Sequence, residues 1–408
     1  MNPRKLSVAL VLSLLLVALV APLPAAADYQ VVGTATSRSP GHLVRTEYTV
    51  QVDSNPLDQF KMVRLVKSGP AQRLRGSILF LPPLGTTFSF YEQRDPKGAA
   101  GSSIAEFFAL RNFDVYGYSP RFEGIPAGTC EAGVLDCSAM AGWGLQSMVD
   151  DIAFVRAQIE ELHPGTRIVA GGASLGGMLA IAAANADPTS YDGIFPWEGM
   201  LYSADPDVRS INDGSCAGLQ AQIGAGVIYD AVGGGVLRQV AQYAELAPGG
   251  LSPIRLFPPG LTNHQVLVLA LSVPTPGPVT MPVPGYVLMA GSLPDDKLFF
   301  ASEARVYDNI RRFNAYIPNV LVRDIVCSLA GNDSTHVANL GAFTGSVLMI
   351  GGGHGFGAYM GDQLAQFGGS DKTLLLEPDF GHIDHFMTRR HRDVVERPIL
   401  AWVQRLFR

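Results

Sequence analysis

The sequence predicts an α/β protein with a mostly parallel central sheet and helices on both of its faces. Short apolar runs such as "GSILFLPPLG" and "TRIVAGGAS" are typical of strands that are buried on both faces of a parallel sheet. They alternate with longer segments that have apolar residues at helical spacing, as in "WGLQSMVDDIAFVRAQIEELH". This alternation indicates parallel strands joined by crossover helices.

Residues 1–27 have the pattern of a secretory signal peptide. Arg4 and Lys5 precede an apolar run that ends in three alanines at Ala27, and the run is shorter than the roughly 20 residues of a membrane-spanning helix. We therefore expect cleavage after Ala27, export to the periplasm or the medium, and no membrane span in the mature protein. An uncleaved membrane anchor is the alternative interpretation.

The elements of the mature chain follow in a regular order. "HLVRTEYTVQVD" and "FKMVRLVKSG" predict two early strands, and "GSILFLPPLG" predicts the first buried one. A helix near "SSIAEFFALRN", a strand at "FDVYGYSP", the long helix quoted above and the strand "TRIVAGGAS" come next. The helix "LGGMLAIAAANAD" and the strand "YDGIFPWEG" complete this part.

The alternation stops between residues 200 and 344, where the chain is rich in Gly, Pro and apolar residues, as in "LVLALSV" and "VPGYVLMAG". It resumes with the strand "GSVLMIGGG", a helix near "YMGDQLAQF", the strand "KTLLLEPDFGH" and the helix "DVVERPILAWVQRLF". We predict a core of residues 28–199 and 345–408, and a cap, residues 200–344, over the sheet edge where such sheets bind ligands. The cap's apolar residues would line a pocket for an apolar group or form the cap's own core.

Ser174 lies in the sequence Gly172-Ala173-Ser174-Leu175-Gly176, between a predicted strand and a predicted helix. A nucleophile on a tight strand-to-helix turn needs small neighbours so that the two elements can pack closely. The motif and its position resemble the nucleophile elbow of the α/β-hydrolase superfamily, and the resemblance covers most of the mature chain outside the insertion. It implies an α/β-hydrolase fold with Ser174 as the nucleophile. The alternative is a Gly-rich turn with an incidental serine.

The superfamily places its general base just after the last strand. His382 in "LLLEPDFGHIDHF" occupies that position, and His385 lies three residues further on. "HIDH" could also indicate a metal site, but no further ligands stand at helical spacing, and we expect neither a metal nor a cofactor.

The resemblance assigns the oxyanion hole to the backbone N–H groups of Leu175 and of a residue in the loop after the third strand. This loop reads Leu81-Pro82-Pro83-Leu84-Gly85, where many relatives have His-Gly. Because proline has no N–H, Leu84 is the first residue that can donate.

A carboxylate should orient the histidine, but the usual position falls near His354, where the chain has none. Some lipases of the superfamily carry the acid at the end of the preceding strand, which favours Glu198. Asp362 is the second candidate, and Asp205, Asp384 or no acid remain open.

All four cysteines lie in the exported part of the chain, which permits two disulfides. We favour Cys130 with Cys137, which closes a short loop, and Cys216 with Cys327, which would join the ends of the insertion. Buried free thiols are the alternative.

The residues together predict an exported serine hydrolase that cleaves carboxylic esters, with a small-molecule or lipid ester as its substrate. The net charge of −6 is well mixed and has no long basic run, which does not favour nucleic acid as a partner. A peptidase on the same fold and a non-catalytic binding protein remain alternatives. The sequence does not predict an oligomeric state.

Overall fold

The computed structural model describes residues 27–39, 41–69, 73–94, 100–272, 298, 300–382 and 384–408. The predicted signal peptide, apart from Ala27, and the segment "VPGYVLMAG" of the insertion lie outside these residues. Within the described ranges, no helix has both the length and the apolarity needed to cross a membrane.

A nine-stranded sheet forms the centre of the protein. The described strands are β1 (Tyr29–Ser39), β2 (Leu43–Val52), β3 (Gln59–Lys67), β4 (Ser77–Leu81), β5 (Asp114–Ser119), β6 (Ile168–Ala173), β7 (Gly193–Trp197), β8 (Tyr229–Asp230), β9 (Ile317–Pro318), β10 (Ser346–His354) and β11 (Lys372–Gly381). The sheet order is β1-β2-β3-β5-β4-β6-β7-β10-β11, and β8 pairs with β9 separately. In the large sheet, β1, β2, β3 and β5 pair with one another in antiparallel fashion. The pairings along the rest of the sheet, β5-β4-β6-β7-β10-β11, are parallel.

Helices cover both faces of the sheet. The described helices are α1 (Ser89–Glu92), α2 (Ile104–Ala109), α3 (Leu145–Leu162), α4 (Leu175–Ala186), α5 (Pro206–Gly224), α6 (Val232–Leu246), α7 (Asn263–Ser272), α8 (Glu303–Arg311), α9 (Asn319–Ala330), α10 (Met360–Ala365), α11 (Asp384–Met387) and α12 (Arg397–Leu406). Leu79 and Leu81 of β4 join a core with α3 and α4, whereas Ile78 and Phe80 join a second core with α2 and α12. Strand β4 is therefore buried throughout, as predicted for a strand covered on both faces.

The sequence predicted two early strands, but the structure has three before β4. β1 precedes the two predicted strands and pairs with β2 at the edge of the sheet. Most of its side chains are exposed. An edge strand with little buried surface lacks the alternation of apolar and polar residues that reveals a strand in a sequence.

The insertion between β7 and β10 contains α5 to α9. Helices α5 and α9 pack together around the disulfide between Cys216 and Cys327. Helices α6, α7 and α8 join the second core instead, beside the ends of the central strands. The boundaries at residues 200 and 344 and the role of the insertion as a cap stay predictions.

Both disulfides have the pairing expected from the sequence. Cys130 and Cys137 close a loop with a sequence separation of 7, and Cys216 and Cys327 close one with a separation of 111. A cross-link that closes a longer loop removes more conformational entropy from the unfolded chain.

We expect the two disulfides to contribute unequally to stability. Replacing Cys216 and Cys327 together by alanine should lower the free energy of unfolding by about 5 kcal/mol, against about 2.5 kcal/mol for Cys130 and Cys137. Urea unfolding followed by fluorescence, with the two double variants measured side by side, tests this. Equal losses would contradict it.

Candidate active site

Ser174 lies on the turn between β6 and α4, at the carboxyl edge of the sheet. Its backbone has a φ of 54°, in the left-handed region that non-glycine residues rarely adopt. A Cβ on Gly172 or Gly176 would overlap the carbonyl oxygen of Leu81, so the turn can approach β4 only with glycine at both positions. The two glycines of the motif therefore let Ser174 lie beside the loop that follows β4.

His382 follows β11 and forms a hydrogen bond with Ser174. The two atoms involved, His382 Nε2 and Ser174 Oγ, are 3.0 Å apart. The imidazole is buried between the rings of Phe356 and Phe386, whose centroids lie 5.1 and 5.0 Å from its own in edge-on arrangements. These rings restrict its rotation and exclude water from it.

Glu198 follows β7 and binds the other nitrogen of the histidine. Its Oε2 lies 2.9 Å from His382 Nδ1, and the carboxylate is fully buried. The backbone N–H groups of Gly352, Phe356 and Gly357 also donate to this carboxylate. We call residues 352–357 the carboxylate loop.

The carboxylate loop explains why the run "GGGHGFG" contains no acid. It lies where the resemblance led us to expect an acid, and it supplies hydrogen-bond donors to Glu198, which follows the neighbouring strand β7. A Cβ on Gly355 would overlap the Glu198 carboxylate, so this position must be glycine. The missing acid was evident from the sequence, whereas this role of the glycines was not.

Glu198 is ionised in this environment. Burial acts to raise the pKa of its carboxyl, but the hydrogen bond and charge of His382, the nearby His385 and the N–H of Gly352 outweigh burial and hold the pKa below its usual range. A buried carboxylate that accepts several hydrogen bonds can orient the histidine and stabilise its protonated form.

The other candidate acids have different partners. Asp362 accepts hydrogen bonds from the Ser203 hydroxyl and the Ala204 N–H at the start of the insertion, at 3.3 and 2.9 Å. Asp205 caps helix α5 through the N–H groups of its first turn. Asp384 accepts the N–H of Gly381 at 2.8 Å. Of the acids weighed in the sequence, Glu198 is the one that the structure places at His382 Nδ1.

His385 is fully buried below the site. Its ring lies edge-on to that of Phe380, with the centroids 5.0 Å apart, and burial lowers its pKa despite the nearby Glu198. The histidine that contacts Ser174 Oγ is His382. No group of three or more metal-ligating side chains occurs in the described part of the chain.

The loop after β4 reaches the site from the other side. Thr86 folds back on it through two hydrogen bonds to the Pro83 carbonyl, and the Gly85 carbonyl accepts the N–H of Asn314 from the insertion at 2.6 Å. Leu84 lies in this turn, and Leu175 is the first residue of α4, where helix N–H groups point outward. Both predicted oxyanion donors thus lie on segments that border Ser174.

Tyr91, which was not predicted from the sequence, joins these two segments. Its hydroxyl donates to the carbonyl of Leu81, at the end of β4, at 2.6 Å and accepts the N–H of Ala173 at 2.8 Å. The side chain is completely buried. A single hydroxyl therefore fixes the distance between the loop after β4 and the residue before Ser174.

An apolar cavity of about 130 Å³ opens beside Ser174 and His382. Leu84, Phe90 and Met387 line it from the core, and residues of α6, α7, α8 and the following loop line it from the insertion: Leu237, Ala270, Leu271, Val306, Asn309, Ile310 and Phe313. The described insertion thus forms a large part of the wall around the serine.

Tyr91→Phe should lower the free energy of unfolding by about 2 kcal/mol, because it leaves the Leu81 carbonyl and the Ala173 N–H buried without their partner. Chemical denaturation measures this loss. Tyr48→Phe, at a partly exposed tyrosine of β2, is a suitable control and should have little effect. Equal stability of Tyr91→Phe and the unmodified protein would contradict this role.

Solved structures that resemble most of this chain include the following two. A protein of Sulfolobus solfataricus, provisionally described as a lipase, aligns with a TM-score of 0.63 at 17% identity, over 93% of this chain and 99% of its own. A soluble variant of monoglyceride lipase from Saccharomyces cerevisiae, solved with a substrate analogue, aligns with a TM-score of 0.51 at 12% identity, over 95% and 99%. No protein-family model matches the sequence, and no curated protein does. The chain therefore has the fold of the α/β-hydrolase superfamily, as its resemblance in sequence implied.

Proposed function

We propose that the protein is an exported serine hydrolase that cleaves carboxylic esters. The observation that carries this proposal is the continuous hydrogen-bonded series from Ser174 Oγ through His382 to the buried carboxylate of Glu198. A serine hydroxyl becomes a useful nucleophile at neutral pH when a base within hydrogen-bond reach takes its proton, and the base needs a partner that orients it.

In the proposed mechanism, Ser174 Oγ attacks the ester carbonyl carbon while His382 Nε2 takes the hydroxyl proton. Glu198 stabilises the imidazolium that forms. The N–H groups of Leu84 and Leu175 donate to the oxyanion of the tetrahedral intermediate. Collapse of this intermediate breaks the bond to the alcohol, which leaves with the proton from His382. Water then attacks the acyl-enzyme by the same route, and this releases the acid and restores Ser174.

The cavity supports a short apolar group as part of the substrate. Its volume of about 130 Å³ is close to the roughly 150 Å³ of a cavity that holds benzene. A chain of about six carbon atoms would fill such a space. The insertion, as a cap of residues 200–344 on the core of residues 28–199 and 345–408, would then set the length of the group that fits.

Two further features support export. Both disulfides join cysteines of the mature chain, and disulfides persist mainly in oxidising compartments. The sequence before residue 28 has the pattern of a signal peptide.

Hydrolysis of p-nitrophenyl esters tests the proposed residues. Ser174→Ala and His382→Ala should abolish measurable turnover, and Glu198→Gln should lower kcat by roughly 10³- to 10⁴-fold, because the amide cannot stabilise the imidazolium in the same way. Asp362→Asn should leave kcat within about twofold, since Asp362 binds the start of the insertion.

A stronger loss for Asp362→Asn than for Glu198→Gln would contradict the assignment of the acid. A folded protein that hydrolyses no ester and is not labelled at Ser174 by a fluorophosphonate would favour a binding protein. Labelling of Ser174 together with cleavage of peptides but not of esters would favour a peptidase.

Acyl chain length should decide the rate. We expect kcat/KM for p-nitrophenyl esters to be highest near four to six acyl carbons and to fall at least tenfold by twelve, because about 130 Å³ cannot enclose the longer chain. Ile310→Ala, which enlarges the cavity, should move the optimum to a longer chain. An optimum at twelve carbons or more in the unmodified protein would show that the acyl group does not bind in this cavity.

A further inference from the structure

The apolar cavity has two polar side chains that the proposed reaction does not use, Thr86 and Asn309. Asn309 of α8 lines the cavity and is only 7% exposed. A buried amide in an apolar wall is costly unless its polar atoms have hydrogen-bond partners. Where these atoms point is therefore informative about the ligand.

The orientation of the Asn309 amide follows from its neighbours. Its Nδ2 donates to the backbone carbonyl of Arg305 at 2.9 Å and to Oε1 of Gln93. The carbonyl of Arg305 can only accept, so the atom that contacts it must be the amide nitrogen. Gln93 itself donates to the same carbonyl at 3.1 Å, and this also fixes its own amide. Met387 Sδ lies 3.4 Å from Asn309 Nδ2 on the same side.

Both protons of Nδ2 therefore have acceptors, and Oδ1 is left for the cavity. Within the part of the chain that the structure describes, no group donates a hydrogen bond to Oδ1. The other polar groups of the cavity wall are engaged: the Thr86 hydroxyl donates to the Pro83 carbonyl, and Ser174 and His382 bind each other. Asn309 Oδ1 is thus an acceptor that can take a hydrogen bond from a donor on the ligand.

We propose that Asn309 recognises a hydroxyl group on the apolar part of the substrate. The substrate class is a short-chain ester whose acyl or alcohol chain carries a hydroxyl that donates to Asn309 Oδ1. This inference rests on the proposed function, since it assigns a specificity residue to the same site. Asn309 takes no part in the bond-making steps.

The test compares hydroxylated and plain esters of equal chain length. Ethyl hexanoate, ethyl 3-hydroxyhexanoate and ethyl 6-hydroxyhexanoate vary the acyl chain, and hexyl acetate and 6-hydroxyhexyl acetate vary the alcohol. Release of acid is followed at constant pH. We expect at least one hydroxylated ester to have a kcat/KM equal to or above that of its plain partner, because Oδ1 replaces the water that the hydroxyl loses.

Asn309→Leu should lower the ratio of kcat/KM for that hydroxylated ester to its plain partner by about tenfold. Both esters are measured on one preparation, so a smaller folded fraction cancels in the ratio. Val306→Ala, one turn earlier on α8, is the matched control. It enlarges the cavity and keeps its wall apolar, so the ratio of kcat/KM for the two esters should not change.

An unchanged ratio in Asn309→Leu would overturn the proposal. So would a kcat/KM at least tenfold below the plain partner for every hydroxylated ester in the unmodified protein, a comparison that holds even if the variant fails to fold. In both cases the hydrolysis of plain esters, and its loss in Ser174→Ala, would leave the proposed function intact. Failure of the proposed function itself would appear as no turnover of any ester.

Discussion

The carboxylate of Glu198 is the group on which the arrangement of the site depends. Taking an ionised carboxyl out of water is strongly unfavourable unless charge and hydrogen bonds compensate for it. Here His382 and three N–H groups of the carboxylate loop provide this compensation. The same contacts fix the carboxylate loop at the end of β10 and the ring of the histidine. One buried charge therefore orders the ends of three neighbouring strands, β7, β10 and β11.

The second constraint is the close approach of the Ser174 turn to β4. Ser174 and Glu198 both have a positive φ, 54° and 50°, and both directly follow a parallel strand. Such backbone strain persists only where the surroundings enforce it. The N–H of Ser174 donates to the Trp197 carbonyl, that of Glu198 donates to the Ile350 carbonyl, and Tyr91 holds the residue before Ser174. Each strained residue is thus fixed by the neighbouring strand, and its side chain turns away from the sheet edge towards His382.

Much of this arrangement could be predicted from the sequence, because it depends on local order along the chain. Ser174 stands between small residues, directly after strand β6 and directly before helix α4. His382 follows the last apolar run of the sequence. Glu198 was predicted from the resemblance to lipases of the superfamily that carry the acid at the end of the strand corresponding to β7. Tyr91 and Asn309 could not be predicted, since their roles depend on which distant groups the fold brings to them. These are the backbone N–H of Ala173, 82 residues from Tyr91, and the side-chain carbonyl of Gln93, 216 residues from Asn309. β1 was missed because an exposed edge strand leaves little pattern.

The insertion combines two parts with different physical properties. Helices α5 and α9 form an apolar cluster around the disulfide between Cys216 and Cys327, and the Ser328 hydroxyl of α9 donates to the Leu201 carbonyl at the start of the insertion. Helices α6, α7 and α8 carry neither disulfide and contact the core through the wall of the cavity. The covalent bond therefore stabilises the base of the insertion, while the cavity is shaped by apolar packing and by the Asn309 amide. Apolar packing has no directional requirement, whereas a buried amide needs partners in fixed directions. Substitutions of the apolar residues in α6 to α8 can therefore change the size of the cavity, while Asn309 continues to determine which polar group the cavity accepts.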